Sequence, residues 1–339
     1  MSPAELIQHK EESLEMGGYF IVNGNEKVIR LLIVPKRNHP LALIRGSFAN
    51  RGSTYTQYGV QIRCARRDQT SLSNVLHYLS DGNIMLRFSW RKSEYLLPVM
   101  MVLNALVETN DKTIFDGITA GRGEEPFLAD RVETLLRTYK SYHLYTRRET
   151  LAYFGSKFRI VFDESEDLTD EEVGEVVLHR VILVHLPTNN DKFRLLMYSA
   201  RLVRFSDVRF MIRKLYALVA GDCAPDNPDS SQHQEILLGG FLYLQILKER
   251  LDDYLNGIRT QIQSDLRAEA EKLPRAKPVD FHDKRLFSQI IQRFHFDLGN
   301  KMTYFLATGN LHSVSGLDLQ QMTGYTIVAE KLNFLRYAS

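Results

Sequence analysis

The fold of this chain is indicated first by the stretch GGYFIVNGNEKVIR, residues 17–30. Apolar residues before and after Asn23-Gly24 can form two strands, and Asn-Gly tolerates the positive φ angles of a tight type I′ turn. The stretch therefore predicts a β-hairpin, which by itself carries no function.

The sequence of this hairpin also resembles that of the corresponding hairpin in the second-largest subunits of multisubunit RNA polymerases, although Asn25 stands where the RNA polymerase II relative has serine. Four later stretches resemble the RNA polymerase I version in the same order: Tyr55–Val60, Asp226–Ser230, Leu306–Leu311 and Lys331–Tyr337. Together the five stretches span nearly the whole chain. The chain is therefore identified as an internal fragment of that subunit.

Composition places the chain among soluble globular proteins. It has 339 residues, of which 44% are hydrophobic and 25% charged. This length suggests about two domains with sizeable cores. The longest apolar runs fall well short of the roughly 20 residues that span a bilayer, so no membrane partner is expected.

The cysteines and histidines do not indicate a metal site. Cys64 and Cys223 stand apart without a Cys-x-x-Cys pair, which favours two thiols in a reducing compartment. His179 and His185 fall in an apolar run that is interpreted as a strand, and no carboxylate or cysteine accompanies them at ligand spacing. We therefore predict no metal ligand in this chain.

Charge is strongly segregated despite a net charge of only +2. Eight basic and no acidic residues lie between Arg30 and Arg67. This stretch is interpreted either as a surface that neutralises nucleic-acid phosphates or, alternatively, as a solvated strand face or a subunit contact. The residues of the candidate basic contact surface are Arg45, Arg51, Arg63, Arg66 and Arg67.

Eight acidic and no basic residues lie between Asp163 and Glu175. The first part is interpreted as a solvated loop. Asp170, Glu171 and Glu172 are predicted to enter a helix, because the N-terminal end of the helix dipole favours carboxylates. A docking surface for a basic partner is the alternative for this run.

Periodicity predicts an α+β architecture. Alternating apolar and polar side chains predict strands at 57–63 and 84–90, and helical spacing predicts helices at 97–109, 127–139, 149–157, 193–220 and 235–273. The prolines and aspartates of 221–234 are typical of a linker.

The resemblance implies a protrusion with an inserted lobe domain. Residues 1–41 would be the first segment of the protrusion, 42–240 the lobe, 241–305 the second segment of the protrusion, and 306–339 the start of the fork. Because the lobe would be inserted, the hairpin and the late helix can belong to one domain although they are far apart in sequence.

No catalytic residue is expected here. In the family that the chain resembles, nucleotidyl transfer uses magnesium held by aspartates of the largest subunit, and that aspartate-rich motif is absent from this sequence. A phosphate-binding loop, a zinc-protease helix and a nucleophile elbow are absent as well. The fragment should be inactive alone, with magnesium and zinc expected only in the full enzyme.

The part expected nearest to nucleic acid is the fork loop, with the candidate residues Thr308, Gly309, Asn310, Leu311, His312 and Ser313. In relatives this region lies beside the RNA–DNA hybrid. No lysine or arginine occurs between Lys301 and Lys331, so any contact would depend on hydrogen bonds to sugar or phosphate. A purely structural loop is the alternative.

The resemblance implies a structural and subunit-docking part of DNA-directed RNA polymerase I that lines the DNA cleft during ribosomal RNA transcription. The implied partners are the largest subunit, the small zinc-ribbon subunit, the initiation-factor-like heterodimer, and DNA and RNA in the assembled enzyme. The implied location is the nucleus, and within it the nucleolus. A free-standing nucleic-acid-binding protein that uses the basic stretch 30–67 is the alternative.

Overall fold

A computed structural model describes residues 2–15, 17–163, 167–186, 194–272, 285, 288, 292, 296–311, 319 and 322–330. The described residues form two compact units. One, the insert unit, runs from Ile33 to Glu235; the other, the flanking unit, comprises the described residues on either side of it in the sequence.

The elements confirm the α+β class. The strands are β1 Phe20–Val22, β2 Asn25–Ile29, β3 Leu32–Pro35, β4 Leu41–Ile44, β5 Tyr55–Ala65, β6 Ser71–Leu79, β7 Ile84–Trp90, β8 Ser93–Pro98, β9 Gln234–Leu237 and β10 Thr326–Val328. The helices are α1 Pro3–Gln8, α2 Gly46–Ala49, α3 Val99–Leu106, α4 Asp111–Thr119, α5 Pro126–Lys140, α6 Arg147–Phe162, α7 Asp170–Val181, α8 Arg194–Ala220, α9 Gly239–Lys272 and α10 Leu298–Thr308.

The predicted hairpin of residues 17–30 is confirmed. Strands β1 and β2 are antiparallel with Val22 opposite Asn25, so only Asn23 and Gly24 form the turn. Their φ angles are 52° and 78°, which is the positive pair that a type I′ turn requires. Strand β10 completes a three-stranded antiparallel sheet by pairing with the other edge of β2.

The insert unit is built on an antiparallel meander of five strands in the order β4-β5-β6-β7-β8. In β7, Ile84, Leu86 and Phe88 are buried while the residues between them are partly exposed, which confirms the predicted alternation. Helix α3 follows directly and is buried at every position except Asn104. The sheet and the helices therefore share one hydrophobic core.

Helices α6 and α7 approach each other closely because each has a glycine at the crossing. A methyl group added at Gly155 would overlap the carbonyl oxygen of Asp170, and one added at Gly174 would overlap that of Leu151. Both helices begin with a capping box; in α7 the Thr169 hydroxyl accepts from the Glu172 N–H and the Glu172 carboxylate accepts from the Thr169 N–H.

Two interpretations of the sequence are wrong. The apolar run around His179 is not a strand, because α7 continues to Val181. Val173, Val177 and Val181 are spaced by four and all face the core, so helical packing overrides the β propensity of valine.

The segment 221–234 is not a linker, because it lies within the insert unit. Its Asp226 carboxylate accepts from the Ala42 N–H at 2.8 Å and pairs with Lys214 at 2.6 Å. Strand β9 follows it, so the predicted helix from residue 235 begins only at Gly239.

The predicted domain 42–240 overlaps the insert unit over most of its length. The division of the remaining residues into 1–41, 241–305 and 306–339, and their assignment to protrusion and fork, stay predictions.

We expect Gly174→Ala to lower the free energy of unfolding of the insert unit by about 1–3 kcal/mol, since the added methyl group must push α6 and α7 apart. Urea unfolding followed by circular dichroism measures this change. Gly46→Ala is the matched control, because no atom lies within 4 Å of the position of its added methyl group. Equal stability of the two variants would contradict the close crossing.

Candidate functional site

The first candidate site is the basic surface, and three of its five arginines are engaged within the protein. Arg63 is buried and donates to the Pro35 carbonyl at 3.3 Å and to the Glu235 carboxylate at 2.7 Å. Arg51 pairs with Glu94 at 3.2 Å, and Arg66 donates to the Arg180 carbonyl at 3.3 Å. Their guanidinium groups thus serve the fold of the insert unit.

Arg45 and Arg67 are more available, but they lie at opposite ends of the sheet. The Arg45 N–H bonds to the Gln57 carbonyl near the start of β5, whereas Arg66 and the exposed Arg67 follow the end of that strand. At about 3.3 Å per residue, the two ends are roughly 30 Å apart. The structure therefore does not bring the five arginines into one patch, and their contact with nucleic acid stays a prediction.

Glu235 is a residue that the sequence analysis missed. Besides Arg63, its carboxylate accepts from Arg37 Nε at 3.0 Å and from the Arg37 backbone N–H at 3.3 Å. Burial raises the pKa of Glu235, but the hydrogen bonds from Arg37 and Arg63 outweigh burial and leave it below its ordinary value. We call this three-residue group the Glu235 clamp. It ties the beginning of the insert unit to its end.

The second candidate site, the fork loop, is described only from Thr308 to Leu311; His312 and Ser313 lie outside the described residues. Gly309 ends α10 with a φ of 68° and its N–H bonds to the Phe305 carbonyl at 2.8 Å. Leu311 is buried, and its N–H bonds to the Met322 carbonyl at 2.9 Å. This half of the loop thus has defined structural contacts, and a contact with nucleic acid stays a prediction.

A third group, which the sequence analysis also missed, lies where α6, α7 and α8 meet. We call it the junction cluster, and its members are Arg147, Glu175, His179, Arg201 and Arg204. Arg201 and Arg204 belong to the helix predicted at 193–220. In the structure Arg204 is fully buried, and Nη1 of its guanidinium lies 2.5 Å from Nδ1 of His179.

Two histidines, the buried His77 and the partly exposed His179, are held neutral. Burial, followed by the charges of Arg204 and Arg147, lowers the pKa of His179 to about 4. Burial, followed by the charges of Arg51 and Arg87, lowers the pKa of His77 to about 3, although Glu94 acts in the opposite direction. Neither ring nitrogen of His77 has a hydrogen-bond partner, and the ring packs edge-on against Phe48.

Two features are absent from the described residues. No group of three or more His, Cys, Asp or Glu side chains lies close enough together there to hold a metal ion. No helix in that part of the chain combines the length and apolar character needed to cross a membrane.

Comparison with protein families finds one matching model, described as RNA polymerase Rpb2, domain 2, over residues 36–237. These limits nearly coincide with those of the insert unit, Ile33 to Glu235.

Several curated relatives match over the whole chain. They include the probable DNA-directed RNA polymerase I subunit RPA2 of Schizosaccharomyces pombe, 61% identical over 339 residues. The DNA-directed RNA polymerase I subunit RPA135 of Saccharomyces cerevisiae is 56% identical over 343 residues, and subunit RPA2 of Homo sapiens is 39% identical over 339 residues. The chain spans 27–28% of the length of these relatives.

The neutral histidines predict acid lability. An unfolded histidine has a pKa of about 6.5, so below this pH the unfolded chain takes up protons that His77 and His179 in the folded chain do not. Stability is therefore fully present above about pH 6.5 and falls as the pH drops, by up to about 1.4 kcal/mol per pH unit for each histidine.

Urea unfolding at several pH values from 7.5 to 5 measures this slope. His77→Leu should flatten it, whereas the control His143→Gln changes an exposed histidine and should not. An unchanged slope in His77→Leu would show that His77 is not the titrating group.

The Glu235 clamp leads us to expect that substitutions of the buried Arg63 and of the exposed Arg67 have different effects. Arg63→Gln should lower the free energy of unfolding by about 3 kcal/mol, since it breaks a buried ion pair, whereas Arg67→Gln should change it by less than about 0.5 kcal/mol.

The same two variants test DNA binding. If the exposed arginines contact phosphates, Arg67→Gln should reduce the slope of log affinity for DNA against log salt concentration by about one, whereas Arg63→Gln should leave that slope unchanged. Fluorescence anisotropy with duplex DNA measures the slope; the reverse pattern would contradict our assignment of the two arginines.

Proposed function

This chain belongs to the RNA polymerase Rpb2 domain 2 family, which confirms the resemblance to second-largest polymerase subunits, and from that premise we propose that it is a structural and subunit-docking part of DNA-directed RNA polymerase I. In this proposal the insert unit is the lobe and the flanking unit contributes to the protrusion and fork. The assembly lines the DNA cleft while ribosomal RNA is transcribed.

The observation that carries the proposal is the agreement between the limits of the family match and the limits of the compact unit. The family match at 36–237 rests on sequence alone, whereas the limits Ile33 and Glu235 rest on the compactness of the folded chain. A segment that is both a family domain and a compact unit is suited to act as one module. Relatives named as RNA polymerase I subunits, which match over the whole chain, supply the choice of polymerase.

The role that we propose is mechanical rather than catalytic. The Glu235 clamp and the capped helices α6 and α7 make a rigid support of the kind that subunit docking needs. The largest subunit would supply the magnesium-bound chemistry. The largest subunit, the small zinc-ribbon subunit and the initiation-factor-like heterodimer are the partners that we propose, and the nucleolus is the proposed location.

The rival function, a free-standing nucleic-acid-binding protein, is not favoured. It depends on the basic stretch 30–67 acting as a single surface. Arg63 is buried in the clamp, and Arg45 and Arg67 lie at opposite ends of β5.

A chimera tests the proposal. We would replace the aligned segment of the Schizosaccharomyces pombe relative with this chain and express it in cells that lack their own copy. We expect the chimera to co-purify with the largest subunit and to sustain ribosomal RNA synthesis, measured by pulse labelling.

The matched control is the same chimera with Arg37→Gln and Arg63→Gln, which opens the clamp and should reduce assembly. A chimera that is present at normal levels but fails to co-purify with the largest subunit would overturn the proposal.

A further inference from the structure

The junction cluster has more positive charge than its own carboxylate can balance. Arg147 Nη2 lies 3.2 Å from Oε1 of Glu175, and Arg201 Nη2 approaches the same oxygen. Glu175 is thus shared by two guanidinium groups. Its other neighbour in the cluster is the His179 ring, at 4.0 Å.

Within the part of the chain that the structure describes, Arg204 is the arginine of the cluster that pairs with no carboxylate. Its guanidinium donates to the neutral ring of His179 at 2.5 Å and to the Leu186 carbonyl at 3.2 Å, both uncharged acceptors. No ion pair found among the described residues includes Arg204. The Nε of Arg204 is buried and has no hydrogen-bond partner, and the same is true of Nδ1 of His185.

The surroundings of Arg204 add to this imbalance. Burial, followed by the charges of Arg201 and Arg66, lowers the pKa of Arg204 to about 10. The side chain is still charged at neutral pH. A buried cation without a counter-ion is unfavourable, and an unsatisfied buried N–H adds to that cost.

Among the described residues Arg204 has no negatively charged acceptor, and a group of that kind would balance its charge. Planar guanidinium groups present parallel N–H donors that match the oxygens of phosphate and carboxylate groups. Arg147 and Arg201 each keep 19% of their side-chain area exposed, so the cluster is open to solvent on one side, while Arg204 is its buried end.

We propose that the junction cluster binds a phosphate-class oxyanion through Arg201 and Arg204. The anion would share the guanidinium of Arg201 with Glu175 and would supply the acceptor that Arg204 Nε lacks. Glu175 is then a competitor for the site as well as a structural partner. This inference does not depend on the role of the chain in a polymerase.

The test is thermal unfolding of the whole chain in sodium phosphate, with sodium chloride at matched ionic strength as the reference and sodium acetate as the carboxylate arm. An anion that binds only the folded state raises the melting temperature with a saturating dependence on its concentration. We expect such a rise with phosphate. Isothermal titration with phosphate gives the affinity directly.

Three variants separate a binding site from a structural cluster. Arg201→Gln should weaken phosphate affinity at least about tenfold, since it removes a charge-assisted contact. Glu175→Gln should strengthen the affinity, because it frees Arg201 and Arg147, even though it lowers the melting temperature without phosphate. Arg148→Gln is the control, since Arg148 is exposed and pairs with Glu171 outside the cluster, and it should leave the affinity unchanged.

A purely structural cluster predicts that Glu175→Gln destabilises the chain without tightening phosphate binding, and that result would overturn the proposal. An equal rise in melting temperature for the parent chain, Arg201→Gln and Arg148→Gln would reduce the effect to a general salt response and would also overturn it. A larger shift with acetate than with phosphate would replace the phosphate class by a carboxylate, contrary to the proposal.

Discussion

The Glu235 clamp is the interaction on which the insert unit depends most. One carboxylate, at the end of the unit, accepts from Arg37 near the start of the unit and from Arg63 near the end of β5. Because Arg63 is buried, its charge needs the Glu235 carboxylate as a partner. The same carboxylate holds the chain segments around Arg37 and Arg63 together.

The basic residues of this chain divide into those that support the fold and those that remain on the surface. Arg63 and Arg204 are both buried, but they have opposite surroundings: Arg63 faces a carboxylate, whereas Arg204 faces a neutral imidazole and a carbonyl. A charge count along the sequence treats the two residues alike. Their chemistry differs because tertiary packing decides whether a buried cation has a counter-ion.

The family match and the insert unit cover nearly the same residues, 36–237 and 33–235. A compact unit with the Glu235 clamp, capped helices and one hydrophobic core suits the docking role that we propose, in which a surface must keep its shape while other proteins bind to it. The packing of the insert unit also holds two histidines neutral, because burial and nearby arginine charges lower the pKa of His77 and of His179.

The sequence by itself determined the local elements and the family. The Asn23-Gly24 hairpin, the alternating strand β7 and the helices α5 and α6 follow from turn chemistry and periodicity, which act between residues close in sequence. Only the tertiary structure decided that 221–234 is part of a compact unit, that the apolar run around His179 is helical, and that Glu235 joins Arg37 to Arg63. Those outcomes depend on partners far apart in the chain, such as Asp226 with Ala42, and the burial that makes such contacts strong exists only after the chain has folded.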